Sequence, residues 1–275
     1  MSETSKFLDV TLDFLREAGK IAVDYQEHLV ATLKPDKSIV TQADLEISKL
    51  FRVKIDSYIK QGNHDILDEE DLQSVPDFFK NRKEYVWVID PIDGTNTYYH
   101  GFPLWAIAVS LYRNFKPLMG AIYMPITGDL IYSDGVKSFH RKNAFGDGER
   151  TVTLAAGEPA PLGKNIILSR RCCDTTRRDY AVLDLYSGYV MSIYTLTNRS
   201  LGQFFRNSSK FWDVAASIAI ARTMGICFRN LENDRDFEAI DPDAVELDWS
   251  LRGVYLMCNP LFYERLKNDN LLVKQ

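Results

Sequence analysis

Asp90 and Asp93 stand three positions apart in Asp90-Pro91-Ile92-Asp93-Gly94-Thr95, directly after the apolar run Val86-Trp87-Val88-Ile89. Two carboxylates at the exit of a buried strand can hold hard cations, because Mg2+ takes oxygen ligands and keeps several waters. Pro91 removes a ladder donor and is expected to stop strand pairing after Asp90. Gly94 can take backbone angles closed to other residues, so the chain can curl and bring Asp93 back beside Asp90. The curl also exposes the N–H groups of Gly94 and Thr95, as phosphate-cradling loops do. An Asp-Gly pair after a strand is equally the ordinary composition of a turn, so the reading depends on what accompanies it.

Other candidate groups occur at separated positions: Lys34, Val40-Thr41-Gln42-Ala43-Asp44, Ile66-Leu67-Asp68-Glu69-Glu70 and Phe211-Trp212-Asp213-Val214-Ala215-Ala216. Each has a structural reading of its own. Thr41 to Asp44 fits a capping box at the start of a helix. Asp213 precedes an apolar helical run, where Asp serves as a cap. Glu69 lies in an acidic run, Asp68 to Asp71, of the kind that usually forms a solvated face. Their joint occurrence is what turns the odds toward a site. In this order and at close to these spacings, from about Phe7 to about Asn259, the motifs resemble the inositol monophosphatase family of metal-dependent phosphatases.

The elements that must position these groups are partly legible. Phe7, Val10, Phe14, Ala18, Ile21, Ala22, Tyr25 and Leu29 recur at steps of three and four, the apolar face of a long helix. A second helix is expected over residues 42 to 60, with Leu45, Phe51, Tyr58 and Ile59 among its buried positions. Strand-like runs follow at Val86 to Ile89, Ala106 to Leu111, Leu118 to Met124, Leu130 to Ser133 and Val136 to Arg141, joined by turn signals that favour antiparallel hairpins. Further on, the pattern predicts a strand at Ile166 to Ser169, a helix over 175 to 186, a strand at Val190 to Leu196, a helix over 211 to 224 ended by Gly225, and strands at Ile226 to Arg229 and Val254 to Cys258. A boundary near residue 150 divides an α+β half (1–150, with most metal ligands) from an α/β half (151–275, with Asp213 and substrate-selecting residues).

Composition sets limits. The 275 residues are 45% hydrophobic and 26% charged with a net charge of −5, ordinary for a globular protein and contrary to a general nucleic-acid binder. No apolar run approaches the ~18 residues of a membrane span, and the N-terminus lacks a leader pattern. A soluble, cytoplasmic protein without a membrane partner is the expectation. Four cysteines, two adjacent as Cys172-Cys173, form neither a disulfide framework nor a C-x-x-C pair, so Cys172, Cys173, Cys227 and Cys258 read as packing residues in a reducing compartment.

The resemblance adds specific expectations. It implies the layered αβαβα sandwich of the family, with the site between the halves, two or three Mg2+ ions, lithium sensitivity and a homodimer. The residue matching Asp90 bridges two ions. Those matching Glu69 and the Ile92 carbonyl complete the first site, and those matching Asp93 and Asp213 complete the second. A third, weaker ion is held mainly by waters and by the carboxylate matching Glu69. Asp44 and Thr95 match the pair that orients and deprotonates the attacking water. Asp93, Gly94, Thr95, Asp213, Ser187 and Gly188 match substrate-contacting positions. A phosphate monoester carries nearly two negative charges and repels hydroxide. Two cations ~4 Å apart can screen that charge and lower the pKa of a bound water. In-line attack without a phosphoenzyme is then the expected route, and no G-x-S-x-G nucleophile motif suggests another.

Two departures qualify the resemblance. The family usually has Gly where this chain has Asp68, which adds a charge near the site and makes Glu70 the fallback ligand. Arg206 stands where inositol phosphatases carry a Glu that contacts ring hydroxyls. With Arg199 and Lys210, it could meet a second anionic group. The expected substrate is a small-molecule phosphate monoester. Alternatives are fructose 1,6-bisphosphate, 3′-phosphoadenosine 5′-phosphate or histidinol phosphate, and, from a different class, a non-catalytic partner-binding role on the same fold.

Overall fold

A computed structural model describes residues 3–35, 37–157, 165–169 and 180–268. The first half runs α1 (Glu3–Glu27), β1 (Ala31–Leu33), β2 (Ile39–Thr41), α2 (Gln42–Ile59), β3 (His64–Asp68), α3 (Val75–Lys80), β4 (Tyr85–Asp93), α4 (Thr95–Tyr99), β5 (Ala106–Arg113), β6 (Lys116–Met124), β7 (Asp129–Ser133), β8 (Ser138–Lys142) and β9 (Arg150–Leu154). The second half contributes β10 (Asn165–Ser169), β11 (Tyr180–Leu183), α5 (Gly188–Leu196), β12 (Gly202–Phe205), a 3-10 turn at Phe211–Asp213, α6 (Ala215–Met224), β13 (Cys227–Asn230), β14 (Arg235–Asp236), β15 (Tyr255–Cys258) and α7 (Pro260–Asn268).

Strands β3 to β9 form one seven-stranded sheet in sequence order, and β11-β10-β12-β15-β13-β14 form a second of six strands. Only β3 pairs with β4 in parallel in the first sheet, and its other pairs are the antiparallel hairpins that the turn signals predict. Alternate side chains of β4 divide between two cores. Tyr85, Trp87 and Ile89 pack toward α1 and α2, whereas Val86 and Val88 pack toward α5, α6 and the second sheet. Residues two apart share a face of a strand, so a strand covered on both sides must be apolar throughout, as Val86 to Ile89 is. On the second sheet, Phe205, Tyr255 and Met257 face the same inner core, while Phe204, Leu256 and Cys258 face α7 through Phe262, Tyr263 and Leu266. The layers are therefore helix, sheet, helix, sheet, helix. No helix among the described residues is long and apolar enough to cross a membrane.

Several sequence expectations change. Val190 to Leu196 lies within helix α5, not a strand. Its β-branched residues suggested a strand, but a helix buried on nearly every side carries no polar face to reveal its period. In the predicted helix over 175–186, residues 175–179 lie outside the described residues, and Tyr180–Leu183 is a strand parallel to β10. Cys172 and Cys173 also lie outside them. Leu45 is exposed, and α2 buries Ala43, Ile47, Phe51 and Ile55, while Tyr58 and Ile59 are only half-buried. Strand β12 went unpredicted because its four residues, Gly-Gln-Phe-Phe, are too short to show alternation.

The inner helix layer meets the first sheet closely at Gly120. A Cβ there would lie 2.6 Å from the Ala216 carbonyl oxygen and 3.0 Å from its Cα, both backbone atoms of α6. Gly120→Ala is expected to destabilise the protein by about 1–3 kcal/mol, the range for overpacking a rigid core. Urea unfolding measures this, and an unchanged midpoint would show that α6 is free to move.

Candidate metal centre

Asp90 and Asp93 share β4, yet residues an odd number apart on a regular strand point to opposite faces. The register resolves this. Asp90 pairs with Ala108 and Asp93 with Ala106, so three steps on β4 match two on β5, the extra residue of a bulge. The strand therefore continues to Asp93, contrary to the expectation that Pro91 would end pairing, because a bulge leaves room for a residue with no N–H to offer. Gly94 then takes φ 87°, and its Cβ position would lie 3.0 Å from the Leu104 carbonyl oxygen and from Ser187 Cβ, so only glycine fits. Thr95 opens α4 and donates its hydroxyl to the Ile92 carbonyl at 2.9 Å.

Asp213 ends the 3-10 turn before α6, where its Oδ2 accepts from the Lys210 N–H at 2.9 Å. It is thus a capping residue as well as a member of the cluster. Asp90, Asp93 and Asp213 each offer a carboxylate oxygen within 4.8 Å of the others. Asp93 is also held from the second half of the chain. Ser187 donates its hydroxyl to Oδ2, Tyr189 its N–H to Oδ2 at 2.6 Å, and Gly188 its N–H to Oδ1 at 3.1 Å. The start of α5 therefore fixes Asp93, so Ser187 and Gly188 are anchors of a carboxylate in this structure. Sequence reasoning passed over this role, and over Tyr189, because the strand reading of Val190 to Leu196 hid the N-cap signature of Ser187.

Glu69 borders the same cleft, lies within hydrogen-bonding reach of Asp90, and is held by Lys34 Nζ at 3.1 Å. Lys34 also bonds Glu70 at 2.8 Å. Asp68 does not add an unpaired charge. It is fully buried, accepts from Ser48 and from Arg52 at 3.0 Å, and does not line the cleft. Asp44 is buried in the capping box, accepting from the Thr41 N–H at 2.8 Å and the Thr41 hydroxyl, and is not among the residues lining the cleft. The structure thus brings Glu69, Asp90, Ile92, Asp93, Gly94, Thr95 and Asp213 onto one cleft of about 1000 Å³. Arg206 is half-buried at the end of β12 and is not among the residues lining it. Arg199 is exposed with its guanidinium 5.7 Å from the Tyr194 ring centre. Of the three basic residues, Lys210 alone reaches the cleft, bonded there to Asp248 at 2.6 Å.

Burial pushes Asp90 well above the carboxylate range, and the neighbouring charges of Glu69, Asp93 and Asp213 add to it. Burial likewise raises Glu69 to about 7 against the opposing pull of Lys34, and Asp44 to about 7 against its bonds from Thr41. Asp90 Oδ1 and Asp44 Oδ1 are buried without a hydrogen-bond partner. Crowded carboxylates with an unpartnered buried oxygen fit a multivalent cation. The donors are all oxygen, the set that suits Mg2+, Ca2+ or Mn2+.

The chain matches the inositol monophosphatase family over residues 3–257 and belongs to it. It is 26% identical over 193 residues to inositol monophosphatase 2 of Solanum lycopersicum, a match spanning 67% of this chain and 65% of that protein's length. A second relative is the 3′(2′),5′-bisphosphate nucleotidase CysQ of Aggregatibacter actinomycetemcomitans, 26% identical over 190 residues, 63% of this chain and 70% of that one. Among solved structures, an IMPase/NADP phosphatase complexed with Mg2+ and phosphate has the same fold, with a TM-score of 0.73, 14% identity, and coverage of 97% of this chain and 95% of that one.

Carboxylates with raised pKa values bind protons more tightly folded than unfolded. Stability without cations should therefore be greatest below the ordinary values of 3.8 for Asp44 and 4.5 for Glu69 and fall as pH rises through about 7. A bound cation offsets the loss. Melting at pH 5 and pH 8 is expected to show a larger Mg2+-induced rise in Tm at pH 8, and equal rises would argue against a cation among these carboxylates.

Proposed function

We propose that the protein is a Mg2+-dependent phosphatase that hydrolyses a small-molecule phosphate monoester by in-line attack of water. The observation that carries this reading is the convergence of Asp90, Asp93 and Asp213, within 4.8 Å, at one cleft. When bound, Mg2+ supplies charge neutralisation for the phosphoryl oxygens and acidifies water. The chain's own groups do the rest. Asp90, Asp93, Asp213, Glu69 and the Ile92 carbonyl hold the cations, with Asp93 kept in place by the start of α5. Gly94 and Thr95 open α4 at the cleft and position the phosphate. The Thr95 hydroxyl would orient the attacking water, and Asp44, buried with one unpartnered carboxylate oxygen, would accept its proton. Retention of Asp44 and Thr95 favours catalysis over a purely partner-binding role, which has no use for a water-activating pair.

Asp90→Asn provides the sharper test. Asp93→Asn would set an amide N–H2 against the donors that hold Asp93, confusing loss of charge with loss of fold. At Asp90 the change keeps the shape and removes a charge that burial and four neighbouring carboxylates, Glu69, Asp93, Asp213 and Asp44, disfavour. Phosphate release at saturating Mg2+ is expected to fall at least about a hundredfold, while Tm in the absence of cations stays level or rises. Activity within about threefold of wild type would sink the assignment.

A further inference from the structure

The cleft has two chemically different ends. Its floor is the carboxylate cluster. Its mouth is bordered by Leu33, Leu72, Tyr186 and Leu247, which are 69, 48, 47 and 77% exposed. These come from four separate segments: β1, the turn after β3, the loop before α5, and the loop between β14 and β15. Scattered exposed leucines are ordinary, but apolar side chains gathered at the opening of a polar cleft have the composition of a ligand site. Tyr186 also sits at φ 58°, a costly conformation for a bulky residue, with its N–H donating to Asp184 Oδ1 at 2.8 Å. Trp249 in the cleft wall sits at φ 65°, held by its Nε1 donating to the Gln73 carbonyl at 3.0 Å. Backbone strain of this kind collects at ligand sites.

Resting on the phosphatase reading, we propose that this mouth binds the substrate's leaving group and selects an aromatic or otherwise apolar alcohol over a polyol. With the phosphate at the floor, the leaving group must extend toward the mouth. Several polar groups there are already engaged: Lys210 with Asp248 and Ser250, Lys34 with Glu69 and Glu70, the Gln73 amide with Asp65, and Ser74 as the cap of α3. Polyol hydroxyls would lose water without equal replacement, whereas an apolar group gains from leaving it.

The test compares 2-phenylethyl phosphate with glycerol 1-phosphate, both esters of alkyl alcohols, by Mg2+-dependent turnover and by calorimetric Kd. The phenylethyl ester is expected to be favoured at least about tenfold in kcat/KM. The double variant Leu33→Ser, Leu247→Ser should lower that preference to about twofold or less, mainly by raising KM for the phenylethyl ester. A wild-type enzyme that treats the two esters alike, or a double variant that keeps the preference, overturns the inference. If neither ester is hydrolysed, the phosphatase reading fails. The Kd values then decide the mouth separately, a retained preference supporting it and equal values overturning it.

A different observation carries a second inference. Cys227 on β13 and Cys258 on β15 are directly opposed in antiparallel register, with their Sγ atoms 3.8 Å apart. Opposed antiparallel residues have Cα atoms about 4.5–5.5 Å apart, inside the span a disulfide bridges. Cys227 lines a second cleft, of about 460 Å³, beside Arg222 and Arg229. We infer that the pair closes to a cross-strand disulfide on exchange with a small disulfide such as oxidised glutathione. The Cys227 thiolate attacks one glutathione sulfur and expels the other as thiolate. Cys258, giving up its proton, then attacks the Cys227 sulfur and expels the second glutathione. Both protein thiol protons end on the two glutathione thiols, so the protein is oxidised and the small disulfide reduced.

Treating the folded protein with oxidised glutathione and digesting with trypsin is expected to give peptide 223–229 linked to peptide 253–265. Cys258→Ser should instead leave Cys227 as the mixed disulfide. Cys227 remaining a free thiol, or linked to peptide 172–177, overturns the inference.

Discussion

Mutual repulsion among buried carboxylates is the constraint around which this molecule is arranged. Asp90 is 1% and Asp93 5% exposed, and the neighbouring charge of Asp93 disfavours ionisation of Asp90. Left alone, such groups would turn outward or take up protons. Here they are held from three directions. The bulge in β4 turns Asp90 and Asp93 to the same side, the α5 N-terminus grips Asp93, and the turn before α6 fixes Asp213 through its cap. Those holding elements belong to the first sheet and to the inner helix layer, so the packing of one against the other determines whether the cluster exists at all.

The inner layer explains why the chain alternates as it does. Helices α5 and α6 lie in the core shared with both sheets, so neither carries the polar stripe of a surface helix. At Gly120 the backbones of β6 and α6 approach until no side chain fits between them. Tyr112, on β5, adds a polar tie across the same junction, and Tyr189, on α5, ties the inner layer to the turn before α6. The Tyr189 hydroxyl donates to the Trp212 carbonyl and accepts from the Ala216 N–H at 3.2 Å, and the Tyr112 hydroxyl donates to the Ala215 carbonyl at 2.9 Å. Buried hydroxyls with fixed partners set distance and angle more narrowly than apolar contact does. The geometry of Asp213 against Asp90 depends on these ties.

What the sequence revealed followed from how much each signal depends on neighbours in space. The β4 motif, the capping box of Asp44 and the hairpins from β5 to β8 are local, and they were legible from residue type and spacing. Helix α5 was not, because its environment is apolar on nearly every side and β-branched residues then mimic a strand. The role of Ser187 was lost with it. Asp68 looked like an added charge because Arg52, which pairs with it, lies a helix away in sequence. Arg206 matches a position that contacts substrate in inositol phosphatases, but a matched position carries no information about which side of a short strand's end faces a cavity. Lys210, four residues further on, reaches it.

The cleft's two ends differ in how deeply they are rooted. The floor is built from the central strand, a bulge and two helix starts inside the core, where almost any change disturbs several layers together. The mouth is drawn from four surface segments whose leucines and tyrosine are exposed. Such an arrangement separates heritable risk into two compartments: under the proposed reading, drift at the rim would retune which alcohol is accepted while the phosphate end stays as it is. New specificity on this scaffold would then be open to short steps at the rim, without first dismantling the carboxylate floor.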